Sequence, residues 1–501
     1  MDRRAFLKTA ALAAAGAGAM RHLPAQARGI PAAAFPELPK DVCYPGPPAT
    51  TIATTVLDLF KIGPGPSSSH TLAPLRIASD FRSVLEALPP ETLARVARLR
   101  ARLHGSLSAT GKGHRTDRAV LAGLLGQKPE SCDPAVMDAL ADAQKRHETN
   151  IGGKRFILGH DAVVWDTVEH AFPFSNTLIM EAVDGDGKVV VSREYYSTGG
   201  GFFAWKGQPE ARRGAPVHAY GSMAAFMDVC RKTGKAPHVV LMENETAILG
   251  LDAAAVDAHL DMVLDVMIAG VELGLREEGL LPAPFEFYRK AKRLHEEAFK
   301  LPEGERLMQL VSSYAIAVSE GNAAGRLAVT APTLGSAGTM PAVVYLLDKH
   351  VRVSREALRR GLLFGALAGY LCKNNASVAG AEVGCQGEIG VASAMAAAMA
   401  AYATDASPEA AEVAATIALE HHLGMSCDPV GGFVLIPCIE RNAFGALKAY
   451  NACLMAKSEI VSRHWEDFDR VVMAMLQTGK ALPPAFREMG TAGLGMTMVD
   501  C

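Results

Sequence analysis

Apolar residues return every three to four positions through 72–88, the spacing of a helix with one buried face. Residues 96–107 and 154–164 read instead as strands, and residues 176–196 as a hairpin turning at Asp184-Gly185-Asp186-Gly187. Residues 51–216 are therefore expected to form an α+β domain. From about residue 217 the strand-like runs become few and long Ala/Leu/Met/Glu segments replace them. Helices are expected at 218–233, 248–275, 286–299, 304–320, 340–350, 354–371, 387–403, 408–423, 439–457 and 464–480. The fold class this predicts is α+β: a small N-terminal α/β domain followed by a larger all-α domain over 217–501. The apolar run 391–401 falls short of the ~18–20 residues a membrane span needs and is rich in Ala, so no span is expected in the mature chain. Its small side chains suit close packing between helices.

The length of 501 residues, with 49% hydrophobic and 21% charged, lies in the ordinary globular range and allows roughly two to four domains. Fifty basic against 53 acidic side chains give a net charge of -3, which offers no footprint for nucleic acid or an anionic membrane. The N-terminus changes the picture. Asp2-Arg3-Arg4-Ala5-Phe6-Leu7-Lys8, an apolar stretch over 10–20 and then Ala25-Gln26-Ala27 resemble a twin-arginine (Tat) export signal over residues 1–27. That predicts a periplasmic protein, or a cytoplasmic one if the signal is not used. Without it the chain keeps 46 basic and 52 acidic residues, a net charge of -6. Residues 28–50, rich in Pro, Ala and Gly, read as a linker or arm. The twin-arginine route carries folded proteins, often because a cofactor was inserted beforehand, which turns attention to metal ligands.

Nine cysteines are too few for a disulfide scaffold, so each is judged by its surroundings. Gly384-Cys385-Gln386-Gly387, Ser426-Cys427-Asp428-Pro429 and Pro437-Cys438-Ile439-Glu440 each set a thiol beside Gly or Pro, where the backbone turns and sulfurs can converge. Three thiolates suit a cubane cluster with one iron left open; structural zinc, disulfides or inert buried thiols are the other readings of the same residues. Cys501 ends the chain, as a free exposed thiol, as one in a disulfide, or as a tail that supplies a fourth ligand until substrate displaces it. Cys230, Cys372 and Cys453 lack the Gly/Pro context and Cys43 lies in the Pro-rich arm. Cys132 repeats the local string of Cys427 but stands alone in the first domain.

Two loops carry histidines. Lys61-Ile62-Gly63-Pro64-Gly65-Pro66-Ser67-Ser68-Ser69-His70-Thr71 feeds hydroxyls and an imidazole into a helix start, where free N–H groups cradle a carboxylate or phosphate and a His is poised for proton transfer. A run of spare serines around an N-cap is the plainer reading. Gly105 through Asp117, including Lys112 and His114, repeats the theme.

At this point the strings resemble the iron-sulfur L-serine dehydratases (L-serine ammonia-lyases) across most of the chain after residue 50. The 61–74 loop, Gly105 to Asp117 and Tyr196-Ser197-Thr198-Gly199-Gly200-Gly201-Phe202 are similar to that family's small β domain. Ala331-Pro332-Thr333-Leu334-Gly335-Ser336-Ala337-Gly338, Gly380-Ala381-Glu382-Val383-Gly384-Cys385-Gln386-Gly387-Glu388 and Cys427 through Asn442 are similar to its catalytic α domain. The resemblance implies a 4Fe-4S cluster on Cys385, Cys427 and Cys438, with Cys501 as the entering tail. It implies a serine hydroxyl at the open iron, its carboxylate in the cradle of Ser67, Ser68, Ser69 and Thr71, and an α-proton base that is His70 first and His114 second. Lys112, Asn176, Arg441 and Asn442 are the further substrate-side residues, and the expected assembly is a homodimer. Departures cluster on the substrate side: Ala73, Pro64 and Leu435 replace the usual residues, and Phe174-Ser175-Asn176 stands where the family has His-Pro-Asn. Threonine, cysteine or another β-substituted amino acid is the alternative substrate. Two rival readings are a pyridoxal-phosphate enzyme using Lys61 with Gly199-Gly200-Gly201, and a non-catalytic amino-acid-binding relative.

Overall fold

The computed structural model describes residues 51–168, 170–208 and 213–498. The export signal, the arm with Cys43, and Cys501 lie outside the described residues.

The first part is built on a five-stranded sheet in the order β5-β2-β6-β7-β8, with β2 Arg98–Leu103, β5 Val163–Trp165, β6 Thr177–Val183, β7 Val189–Ser197 and β8 Phe203–Trp205. The expected hairpin is β6–β7, closed at Asp184, whose side chain accepts the Asp186 and Lys188 N–H groups. Helices α1 (Ala73–Glu86) and α2 (Thr116–Leu124) pack together in the core beside the sheet; a Cβ on Gly123 would press into the backbone of Leu75. The strand expected over 154–164 is two. Lys154–Leu158 (β4) pairs with His147–Ile151 (β3) as a separate hairpin, and after a turn at His160–Ala162 the chain enters β5, parallel to β2. The strand expected over 96–107 stops at Leu103, because Gly105 adopts φ +56 and Ser106–Ala109 coils into one helical turn.

The second part is helical, with one exception. Strand β9, Leu327–Val329, pairs antiparallel with β1, Ile62–Pro64, so the first histidine loop is bonded to the helical half. The sequence predicted no strand there, since three residues make a strand only when a distant partner is supplied. Its helices include α3 Ala253–Gly274, α4 Glu303–Ala323, α5 Arg355–Asn375, α6 Ile389–Ala403, α7 Pro408–Glu420, α8 Cys438–Ser458 and α9 Phe468–Ala481. A helix at Pro237–Leu249 was not expected; Gly250 in the left-handed region ends it, and Asp252 caps α3 through the Ala255 N–H.

The core of this part is α6, whose residues are all buried except Tyr402. Such a helix needs apolar neighbours on every side, and α5, α7 and α8 provide them. Close approach depends on glycine. A Cβ on Gly365 of α5 would stand 2.7 Å from the Met395 carbonyl oxygen, inside any permitted contact. No described helix is long and apolar enough to cross a membrane.

Candidate active site

Two loops of the first part are laced to each other. The Ser67 hydroxyl accepts the His70 N–H (3.1 Å) and caps a short wide turn, Ser68–Leu72, that leads into α1. The Thr71 hydroxyl donates to the His114 carbonyl (2.6 Å), and the Thr116 hydroxyl donates back to the His70 carbonyl (2.7 Å). This reciprocal pair brings the imidazoles of His70 and His114 to 4.5 Å between centroids, both almost wholly buried. His70 Nδ1 lies 2.8 Å from the Ser69 hydroxyl, and its Nε2 3.0 and 3.1 Å from the hydroxyls of Ser106 and Thr110. Nδ1 of His114 donates to the Thr110 carbonyl at 3.0 Å. Burial pushes His70 down to about 4, and burial together with the neighbouring His70 pushes His114 well down. Both are neutral imidazoles at neutral pH, able to accept a proton.

Beside Ser69 opens a cavity of about 180 Å³. Ser68, Ser69, Asn176, Ser197 and Thr198 come from the first part; Thr333, the 378–382 segment, Glu388 and Glu488 come from the second. Asn176 lines the cavity, and its Oδ1 is buried with no hydrogen-bond partner among the described residues. Phe174 also lines the cavity, its ring 5.1 Å from Tyr196.

Glu388, which lines the cavity, is itself in contact with two thiols. Glu388 Oε2 lies 3.9 Å from Cys385 Sγ and 3.8 Å from Cys427 Sγ, and Thr333 donates to its other oxygen at 2.8 Å. These three ligand atoms lie within 4.8 Å of one another. Cys438, the first residue of α8, is buried close by. Burial and the charge of Cys385 raise its thiol, while Arg441 opposes them. Contact with Cys385, then burial, raises the Cys427 thiol. Arg441 donates to the Ser426 carbonyl (2.7 Å) and lies 3.3 Å from Asp428 Oδ1, which holds its charge beside the thiols. The seven described cysteines are all free, which removes the disulfide reading for them.

Whether this pocket suits a cluster can be judged from its space and its donors. A Cβ on Gly380 would stand 3.2 Å from Cys427 Sγ and 2.8 Å from Glu388 Oε2, so glycine keeps room at the sulfurs. The donors are soft thiols, the chemistry that iron-sulfur centres take. The residues therefore fit a metal centre.

Not every expected residue faces the cavity. Lys112 is exposed, its ammonium 5.8 Å from the Trp165 ring centre. Thr71 spends its hydroxyl on the loops. Asn442 is a lock: its Oδ1 accepts the N–H groups of Gly338 (2.9 Å) and Thr339 (3.0 Å), and its Nδ2 donates to the carbonyls of Gly335 and Cys438, both at 2.9 Å. Two site residues had no role assigned from sequence. Glu388 sits three residues after Cys385 within the quoted string, a spacing that places a carboxylate beside the thiol. Glu488 has no local signal. It arrives because Cys427 donates to the Phe486 carbonyl (2.8 Å) and accepts from the Glu488 N–H (2.7 Å). Its Oε1 is 3.3 Å from the Ser69 hydroxyl and 3.8 Å from His70 Nδ1. Burial raises both carboxyls, and for Glu388 the charge of Glu488 adds to it.

A small cavity lined by hydroxyls and carboxyls, with two thiols against Glu388 and a neutral imidazole behind Ser69, is an enzyme site whose donor set is compatible with a metal centre. The family described as "Serine dehydratase beta chain" matches residues 55–208, and "Serine dehydratase alpha chain" matches residues 191–495. The chain belongs to the serine dehydratase family. It is 39% identical over 463 residues to L-serine dehydratase 2 of Escherichia coli, covering 89% of this chain and 99% of that one. It is 38% identical over 466 residues to L-serine dehydratase of Streptomyces coelicolor, covering 90% and 100%. L-serine dehydratase of Helicobacter pylori (strain J99) is 34% identical over 459 residues, with 89% and 99% covered.

Proposed function

We propose that this chain is an L-serine ammonia-lyase that removes water from L-serine. The aminoacrylate product passes through its imine and hydrolyses to pyruvate and ammonia. The observation that carries this reading is the cavity lined by Ser69, which is backed by His70, and by Glu388, which gathers the thiols of Cys385 and Cys427. Cys385, Cys427 and Cys438 would hold a 4Fe-4S cluster, with Cys501 as a fourth ligand that substrate displaces, and the cluster would supply Lewis acidity for the departure of hydroxide.

The chain's own groups do the rest. The unsatisfied Asn176 Oδ1 accepts from the substrate ammonium, and Ser68 and Thr198 donate to its carboxylate. The Ser69 hydroxyl has two partners, His70 Nδ1 and Glu488 Oε1. When it turns to Glu488, it frees the Nδ1 lone pair of His70. His70, with its other nitrogen held by Ser106 and Thr110, then takes the α-proton.

The test is anaerobic purification with iron and sulfide analysis, followed by a keto-acid assay on L-serine, L-threonine and L-cysteine. The expected result is pyruvate from L-serine, with iron and turnover lost together in Cys385→Ser. Iron-free protein that turns over normally would refute the reading. Export through residues 1–27 and a homodimer complete the proposal. Cell fractionation of an Arg3-Arg4→Lys-Lys variant tests the first. The second is supported by the outward apolar stripe Phe444, Leu454 and Met455 on α8, and sedimentation reads it.

A further inference from the structure

Apart from Cys385, Glu388 and Cys427, one more group of metal-ligating side chains comes together among the described residues, and nothing in the proposed reaction uses it. His104 follows β2, and Asp166 and His170 lie on the crossover from β5 to β6. Asp166 Oδ2 is 3.5 Å from His104 Nδ1 and 3.3 Å from His170 Nε2, and the three ligand atoms lie within 4.8 Å of one another. Ligands about 2.0–2.1 Å from a tetrahedral zinc stand roughly 3.3–3.4 Å apart, so the two measured separations are those of adjacent ligands on one ion.

A second observation points the same way. His104 is 2% exposed, yet neither of its ring nitrogens has a hydrogen-bond partner among the described residues. A neutral imidazole buried with both nitrogens unmet is a poor structural residue and a good ligand. His170 is a third exposed, which leaves a path for an ion and for a water as fourth ligand. Arg102, 3.2 Å from Asp166 Oδ2, is the one cation at the carboxylate that would resist, and it is itself 37% exposed and able to swing into solvent. Asp166 Oδ1 accepts the Val168 N–H, which fixes the carboxylate plane.

We propose that His104, Asp166 and His170 form a binding site for a borderline divalent cation of the zinc class, separate from the thiol centre. The site ties the end of β2 to the start of a crossover whose far end carries Phe174, Ser175 and Asn176 at the cavity.

The experiment uses the full chain with its iron-sulfur centre reconstituted anaerobically, so that the thiols are already occupied, and zinc as the probe. Equilibrium dialysis followed by metal analysis should give one zinc per chain with iron unchanged, and zinc should raise the thermal midpoint. His170→Ala, a partly exposed change that leaves the core intact, and Asp166→Asn should each weaken zinc binding. The loss should be at least the roughly 10–100-fold that removing an outer-shell partner costs. Zinc bound equally by wild type and His170→Ala, or no zinc retained by the iron-loaded wild type, overturns the proposal.

Discussion

Asn442→Ala separates a residue that touches substrate from one that holds the site together. The Asn442 amide satisfies two backbone N–H groups, at Gly338 and Thr339, and two carbonyls, at Gly335 and Cys438, and it is buried. Alanine strips all four. Each buried group left unmade costs ~1–3 kcal/mol, but a water can enter the vacated amide volume and recover part of this. A net loss of about 2–4 kcal/mol follows, a large share of a stability of ~5–15 kcal/mol. With ~2.1 cal/mol/K of unfolding entropy per residue, a chain of this size moves by roughly 1 °C per kcal/mol, so the thermal midpoint should fall by about 2–4 °C. Because the Cys438 carbonyl and the loop at Gly335 lose the same anchor, iron retention and kcat should fall with it while KM for L-serine stays nearly constant. The assay is anaerobic calorimetry with iron analysis and steady-state kinetics on one preparation. An Asn442→Ala protein of unchanged midpoint and iron content whose KM rises tenfold would refute the argument and return Asn442 to the substrate.

Two further outcomes follow from buried titratable groups. Burial raises Glu245 from 4.5 to about 7, where it accepts from the Val56 N–H (3.0 Å) and the Tyr370 hydroxyl (2.6 Å). The unfolded chain releases this proton first, so the carboxyl's contribution to stability is lost as pH rises from about 4.5 to about 7. Glu245→Gln, with the Tyr370 hydroxyl turning to accept, should therefore stabilise the protein at pH 8 by at most ~3 kcal/mol and be near neutral at pH 4.5; a variant equally destabilised at both pH values contradicts this. His70→Asn should lower kcat by ~10²–10⁴ with KM little changed. With His70 lowered to about 4, the fall of wild-type kcat on acidification that belongs to this base should lie near 4, and an inflection near 6.5 that disappears in His70→Asn would count against it.

The helical periodicity of 354–371, 408–423 and 439–457 was enough to place α5, α7 and α8, because their apolar faces repeat at 3.6 residues and Ser354 and Ser407 stand as caps where the chain must turn. The Gly/Pro settings of Cys385, Cys427 and Cys438 marked the thiols for the same reason: the conformational freedom of those residues is a local property of the chain. Glu488 could not be found this way. Its position depends on the pairing of the 486–488 backbone with Cys427, and that register is set by packing between segments sixty residues apart. Strand β9 and the inward-locked Asn442 are of the same kind, as are the two hydroxyls that lace His70 to His114. Sequence alone determined which residue types, turns and helix faces were available, because propensity and periodicity act over a few neighbours. Only the tertiary structure decided which polar groups meet, since hydrogen bonds between distant segments are chosen by the burial that leaves them no water as an alternative.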